Sequence, residues 1–315
     1  MHFFSRDLAV AAASDRPTID WEEPDCLLCG SRHWSPLVEA PDSTTGGTGL
    51  WFAVVQCQEC GLCFTNPRPT EATIGQFYPS VYRPHRTPRP RRPRWRFRAL
   101  GSAEQPPKEC QILSWRGEGR LLDFGCGGGS FLAHMHRRSW KVTGLDVSKA
   151  AVQRVRAELG LSALVGTLPH PELRPASFDV ITMWHSLEHV HAPLEVLREA
   201  HRLLAPGGRL LVAAPNIDSW PFRWFGPAWY GLDLPRHLSH FSPWTLQLML
   251  ERAGFRTGPI RMVRHNDWLR SSAKLARQTG SLWQRSLTWK PLAGLASWYC
   301  YLVRQSDCLL VAAER

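Results

Sequence analysis

The chain contains no stretch approaching the roughly 18 to 20 consecutive apolar residues that a bilayer-crossing helix requires. Its opening, MHFFSRDLAVAAASDRP, also lacks the long apolar run of a secretory leader, so the expectation is a cytoplasmic protein. No internal repeat is present. Acidic residues are missing from one segment altogether: Arg83 to Arg98 holds eight arginines and no Asp or Glu, and it supplies most of the net charge of +11. The basicity is therefore local, which disfavours nucleic acid as a partner of the whole chain.

With 315 residues, 43% of them hydrophobic, the sequence fits one large domain with a small appendage. Of nine cysteines, five (Cys26, Cys29, Cys57, Cys60 and Cys63) crowd into the first fifth of the chain at short spacings. In a cytoplasmic protein such clustering favours metal over disulfides. Cys26-x-x-Cys29 and Cys57-x-x-Cys60 each present two thiolates, enough to close a tetrahedral structural zinc site with no position left for water. Cys63 repeats the spacing and either replaces Cys60 or stays free; the two matched pairs select Cys26, Cys29, Cys57 and Cys60.

The organisation reads as a leader (1–22), a zinc-ribbon-like module (23–70), a linker (71–112) that is basic and Pro-rich at 83–98, and a main domain (113–315). From Gly119 onward, short apolar runs alternate with helical stretches, the pattern of βαβ units and a mostly parallel, doubly wound α/β sheet. Strands are expected near 120–124, 141–145, 163–165, 178–183, 209–214, 259–263 and 308–313. Helices are expected over 130–138, 149–159, 193–204 and from 243 to about 253. An aromatic insertion (216–241), too irregular for one helix face, and a Trp- and Arg-rich helical lid (267–303) complete the domain.

Leu121-Leu-Asp123-Phe-Gly125-Cys126-Gly127-Gly128-Gly129-Ser is a strand entering a glycine turn and then a helix, which lets backbone approach a nucleotide closely. Ser130 occupies the position where a dinucleotide fingerprint wants Gly or Ala. Asp123, two residues before the first glycine, would repel a pyrophosphate and attract the cationic sulfonium of S-adenosylmethionine. Asp146, ending the next strand in Gly144-Leu-Asp146-Val147-Ser, suits a ribose diol in either cofactor.

The segments LLDFGCGGGSFL, GLDVS, SFDVITMWHSLEHV and LLAPGGRLLVAAPN, in that order, resemble the successive motifs of class I methyltransferases over about residues 119–215. The resemblance implies a Rossmann-like, seven-stranded sheet and S-adenosylmethionine as cofactor. It implies that Asp123, Gly125, Cys126, Gly127 and Gly129 border the methionine end and that Asp146 and Val147 face the ribose side. Thr167 and Leu168 then lie at the adenine, and Trp184 and His185 near the methyl group.

Candidate catalytic residues follow the fourth strand and the insertion. His185, Glu188 and His189 resemble the Glu-His pair of small-molecule O-methyltransferases such as those of ubiquinone synthesis, some of which hold a divalent metal there. Asp233-Leu-Pro-Arg236-His237-Leu-Ser-His240-Phe-Ser resembles a segment of deoxysugar C-methyltransferases, which also carry a four-cysteine zinc module. By that likeness His237 is the general base, with His240 beside it; the competing reading makes His237 a helix-entry residue bonded to backbone.

The expected activity is methyl transfer to O or C of a small metabolite, a sugar or a glycan or lipid precursor. The alternatives are a nucleic-acid-binding or RNA-modifying zinc protein and an NAD-dependent enzyme. The basic linker and tail tryptophans also suit peripheral contact with an anionic membrane, by a monomer or homodimer.

Overall fold

The computed structural model describes residues 18–42, 48–78, 119–277 and 280–315. The basic segment 83–98, and with it most of the expected linker and leader, lies outside the described residues. In chain order the N-terminal part forms β1 (Trp21–Glu22), β2 (Trp34–Pro41), β3 (Trp51–Cys57), β4 (Cys63–Thr65) and β5 (Arg68–Pro69). Next come β6 (Arg120–Phe124), α1 (Ser130–His136), β7 (Lys141–Asp146), α2 (Lys149–Leu159), β8 (Ser162–Val165), β9 (Phe178–Trp184), α3 (Pro193–Leu203) and β10 (Leu204–Pro215). The remainder is α4 (Trp220–Phe225), β11 (Ser239–His240), α5 (Pro243–Arg252), β12 (Arg256–Thr257), β13 (Arg261–Val263), α6 (Asn266–Leu275), α7 (Leu282–Ser286), α8 (Lys290–Leu302) and β14 (Cys308–Glu314).

The large sheet runs β8-β7-β6-β9-β10-β14-β12, with β13 also on β14. Pairings from β8 through β10 are parallel, and β14 is antiparallel to its neighbours. The chain winds outward from β6 to β8, then returns to the other side of β6, so the crevice for a ligand opens at the carboxyl ends of β6, β7 and β9. This is the class I methyltransferase arrangement. The sheet has eight strand segments rather than seven, because β12 and β13 share one edge position along β14.

Side chains alternate between two apolar layers, as a sheet buried on both faces requires. Leu121 packs with Leu132, Met135, Val152 and Val155 of α1 and α2. Its neighbour Leu122 packs with Val196, Leu197, Leu246 and Met249 of α3 and α5. Ser148 caps α2 by accepting from the Ala151 N–H, and Ser242 with Thr245 forms a capping box at α5. Each cap is worth about 1 kcal/mol.

The cysteine segment is built into this body. Strand β11, from the insertion, pairs with β4 to complete a sheet of order β11-β4-β3-β2. Cys26, Leu28, Val55, Cys57, Cys60 and Phe64 join the same apolar cluster as Leu122 and α3. Arg252 of α5 donates to the Leu28 carbonyl at 2.7 Å.

Within the insertion, Ser219 caps α4. Phe225 and Trp229 bury against Leu269 and Ala273 of α6, so those rings form the core of the lid. The helical lid region contains α6, α7 and α8.

Candidate active site

The glycine turn follows β6 directly. Gly125, Gly127 and Gly129 have φ of +74°, +50° and +75°, which favours residues without a Cβ. Space demands the same: a Cβ on Gly125 would lie 2.5 Å from that of Ser186, and one on Gly129 would lie 2.8 Å from Val155 and Leu159. The Asp146 carboxylate fixes the turn by accepting from the N–H groups of Gly127 and Ser148, each at 2.8 Å.

Asp123 is buried beneath the turn and accepts from the Thr182 hydroxyl at 2.7 Å. Burial pushes its carboxyl up to about 7 against that bond, and the Asp146 charge pushes the same way. Two carboxyl groups thus border the crevice, and among the described residues neither forms an ion pair, a setting that a positively charged ligand would relieve and a pyrophosphate would worsen. The fit to S-adenosylmethionine rests on this charge pattern. Val147 is 72% exposed and Thr167 is half-buried at the rim. By contrast the side chains of Cys126 and Leu168 turn into the core, so only their backbones are left to border a ligand. Trp184 packs edge-on against Phe131 at 5.3 Å.

Beyond β9 the chain makes a short 3-10 turn, Leu187–His189, anchored by the Ser186 hydroxyl donating to the Phe124 carbonyl at 2.9 Å. Glu188 is 0% exposed, and neither oxygen accepts a hydrogen bond of normal geometry. Imidazoles face it instead: His185 Nδ1 at 3.5 Å and His237 Nε2 at 3.9 Å. Burial alone would raise its pKa, but His185, His237 and His189 together hold it below the ordinary carboxylate value.

His237 donates from Nδ1 to the Gly231 carbonyl at 2.9 Å, which leaves Nε2 as the nitrogen facing the acids. That nitrogen lies 3.9 Å from both Glu188 and Asp233. Burial opposes the charge on Asp233, yet His237 and Arg236 bring it down to about 2. His189 donates from Nδ1 to the Arg236 carbonyl at 3.0 Å, and its ring meets that of His237 at 4.6 Å. Burial, then the His237 charge, lowers His189 to about 4, so it is neutral near pH 7. Ligand atoms of Glu188, His189 and His237 lie within 4.8 Å of one another.

His240 sits apart from this group in role. The Thr65 hydroxyl donates to the His237 carbonyl at 2.7 Å and therefore accepts from His240 Nε2 at 3.2 Å. Burial, then the His237 charge, pushes His240 down to about 3. It is a neutral clamp between β11 and β4.

The four cysteines converge as the spacing predicts. Cys26 and Cys60 sulfurs are 3.5 Å apart, as are those of Cys29 and Cys57, and all four lie within 4.8 Å. A disulfide needs about 2.05 Å. A tetrahedral zinc edge, from a Zn–S length of about 2.3 Å, is about 3.8 Å. Burial opposes ionisation of Cys57, but the N–H groups of Cys60 and Glu59 together with the Cys29 and Cys26 thiols bring it to about 7. Cys63 faces the opposite core layer, so the geometry selects Cys60 as the fourth thiol.

Arg236 is the residue whose position no local pattern announces. Fully buried, it donates to Asp233 at 2.7 Å, to Asp42 at 3.2 Å and to the Phe77 carbonyl at 3.0 Å. It locks the His237 loop to the cysteine segment across 194 residues of sequence.

A family profile described as a methyltransferase domain matches residues 89–257. The ubiquinone biosynthesis O-methyltransferase of Vibrio cholerae is 38% identical over 111 residues, 33% of this chain and 45% of that one. The protein of the same description from Xanthomonas euvesicatoria is 30% identical over 172 residues, 51% of this chain and 72% of that one. The Xanthomonas protein excepted, the chain spans about half the length of these curated relatives. Among solved structures, an S-adenosylmethionine-dependent methyltransferase from Mesorhizobium loti superposes with a TM-score of 0.46 at 21% identity, over 66% of this chain and 95% of that one.

Proposed function

Because this chain belongs to the methyltransferase-domain family, we propose that it transfers a methyl group from S-adenosylmethionine to oxygen or carbon of a small metabolite. A sugar, or a glycan or lipid precursor, is the acceptor class this reading favours. The observation that carries it is the placing of Glu188, which faces the Nε2 of His237, two residues after Ser186, the residue that closes against Gly125 of the acid-bordered glycine turn.

S-adenosylmethionine, when bound, supplies an electrophilic methyl group on a cationic sulfur. Asp123, Asp146 and the glycine turn would hold it, with Val147 and Thr167 at the rim. His237, its Nδ1 committed to Gly231, accepts the acceptor's proton on Nε2. The resulting imidazolium faces two carboxylates, Glu188 and Asp233, that stabilise it. Four thiolates from Cys26, Cys29, Cys57 and Cys60 would hold a structural zinc that stiffens the sheet carrying His240.

Calorimetric titration tests the cofactor: S-adenosylmethionine binds and NAD does not. Absence of heat with the former overturns the reading. A panel of hydroxylated and phenolic acceptors then separates O- from C-transfer.

A second reading concerns location. No helix of the described residues is long and apolar enough to cross a membrane. Yet α7, α8 and the turn between them expose Leu282, Trp283, Trp289, Leu295, Trp298 and Leu302. Apolar and indole side chains flanked by Lys290 and Arg304 suit shallow contact with an anionic lipid surface. Co-sedimentation with anionic vesicles at low salt tests this, and loss of binding in Leu295→Glu is the expected result.

A further inference from the structure

The geometry points to a second metal site, in which His185, His265 and Cys308 hold a zinc ion through two imidazoles and one thiolate. The three residues come from the end of β9, the residue preceding α6 and the start of β14, and their ligand atoms lie within 4.8 Å of one another. His185 Nε2 is 3.9 Å from the Cys308 sulfur. Zn–S and Zn–N lengths of about 2.3 and 2.1 Å at a tetrahedral angle give about 3.6 Å for that edge. A shift of a few tenths of an ångström would therefore close it.

Three further features agree. Glu188 faces Nδ1 of His185 at 3.5 Å, while Nε2 of the same ring is the nitrogen on the Cys308 side. His185 has φ of +52°, a costly conformation for a residue with a Cβ, and it places the ring toward Cys308. Trp268 stacks on His265 at 4.6 Å and packs on His185 at 5.1 Å, so one indole positions both imidazoles.

Charge and donor softness select the ion. A dication beside one thiolate and the Glu188 carboxylate is neutral overall, which the apolar surround of Ala213, Val263 and Leu310 requires. Two nitrogens and one sulfur suit zinc better than magnesium or calcium. Binding releases the Cys308 proton to solvent, so affinity rises with pH. Three protein ligands leave one position open, and His185, a quarter exposed, puts it on the accessible side. Water or an acceptor oxygen would fill it; the acceptor clause rests on the proposed methyl transfer, and the ion itself does not.

Zinc content of the full chain, measured by plasma mass spectrometry after zinc reconstitution and desalting, should be two per chain. Cys308→Ser and His265→Gln should each hold one, with S-adenosylmethionine titration unchanged. One zinc in the wild type, or two retained in Cys308→Ser, overturns the proposal. Should the variants not fold, cobalt titration of the wild type decides. A second equivalent must add a one-thiolate charge-transfer band distinct from the four-thiolate band of the first, and its absence also overturns the site. Failure to bind S-adenosylmethionine with two zincs present would instead sink the methyl-transfer reading alone.

Discussion

Thr65 and His240, 175 residues apart, share a hydrogen bond of 3.2 Å through which the cysteine segment grips the loop that carries His237. The same threonine hydroxyl donates to the His237 carbonyl, so the position of the proposed base depends on β4. Thr65→Val removes both bonds and leaves a buried N–H and a buried carbonyl unpaired. The expected cost is about 2 kcal/mol of stability, read by denaturant unfolding. Turnover should fall further than affinity for S-adenosylmethionine.

His237→Ala should lower kcat by roughly 10² to 10⁴, the usual contribution of a positioned base. Binding of S-adenosylmethionine should stay within about twofold, because His237 lies outside the glycine turn. Steady-state kinetics beside calorimetry separates the two. Full turnover in the variant would return His237 to a purely structural role.

Asp123 predicts two opposed pH dependences. Its folded value of about 7 lies above that of an unfolded carboxyl, so the folded chain keeps a proton the unfolded chain has lost. That contribution to stability is complete below about pH 4 and declines until about pH 7, by roughly 1.4 kcal/mol per unit. Asp123→Asn should flatten the slope in thermal denaturation. Affinity for the cationic donor should run the other way, weakening by up to about tenfold per unit below pH 7. A level binding profile would remove Asp123 as its counter-charge.

Arg236→Met takes the guanidinium away from the carboxylates of buried Asp42 and of Asp233. Breaking one side of a buried ion pair costs about 3 to 5 kcal/mol, so the melting temperature should drop sharply. Arg236→Lys should rescue little, since a single ammonium cannot reach both acids and the Phe77 carbonyl together.

Removing zinc from the proposed four-cysteine site should reduce activity before it unfolds the parallel sheet. Treatment with a strong chelator, followed by circular dichroism and activity, tests that order. Unchanged turnover with metal fully removed would contradict it.

The parallel strands were legible because residues such as Leu121, Leu122, Ile181 and Val212 form short apolar runs between turn residues, and such runs need two covered faces. Paired cysteines were legible because knuckle spacing is local. Strand β2 was not, since Pro36, Glu39 and Pro41 interrupt any alternation and its place is set by pairing with β3. Nor was β11, two residues long, whose existence depends on β4. The ion pair of Arg236 with Asp42 was not legible because the two are remote in sequence. His265 and Cys308 carry no motif, and only the return of β14 against β10 and β13 brings them to His185. For Cys126 and Leu168, sequence does not tell which way a turn residue's side chain points.

The pairing of Ser239 with Phe64 bears on biosynthesis. During translation the Cys63–Thr65 segment emerges long before its eventual neighbour has been made. For that interval one flank of the nascent sheet offers bare amides and carbonyls to any passing strand. Polypeptides shortened to end before residue 239 should keep that flank permanently open and self-associate through it, while early metal capture would hold the rest of the sheet in shape until the ribosome delivers the missing partner.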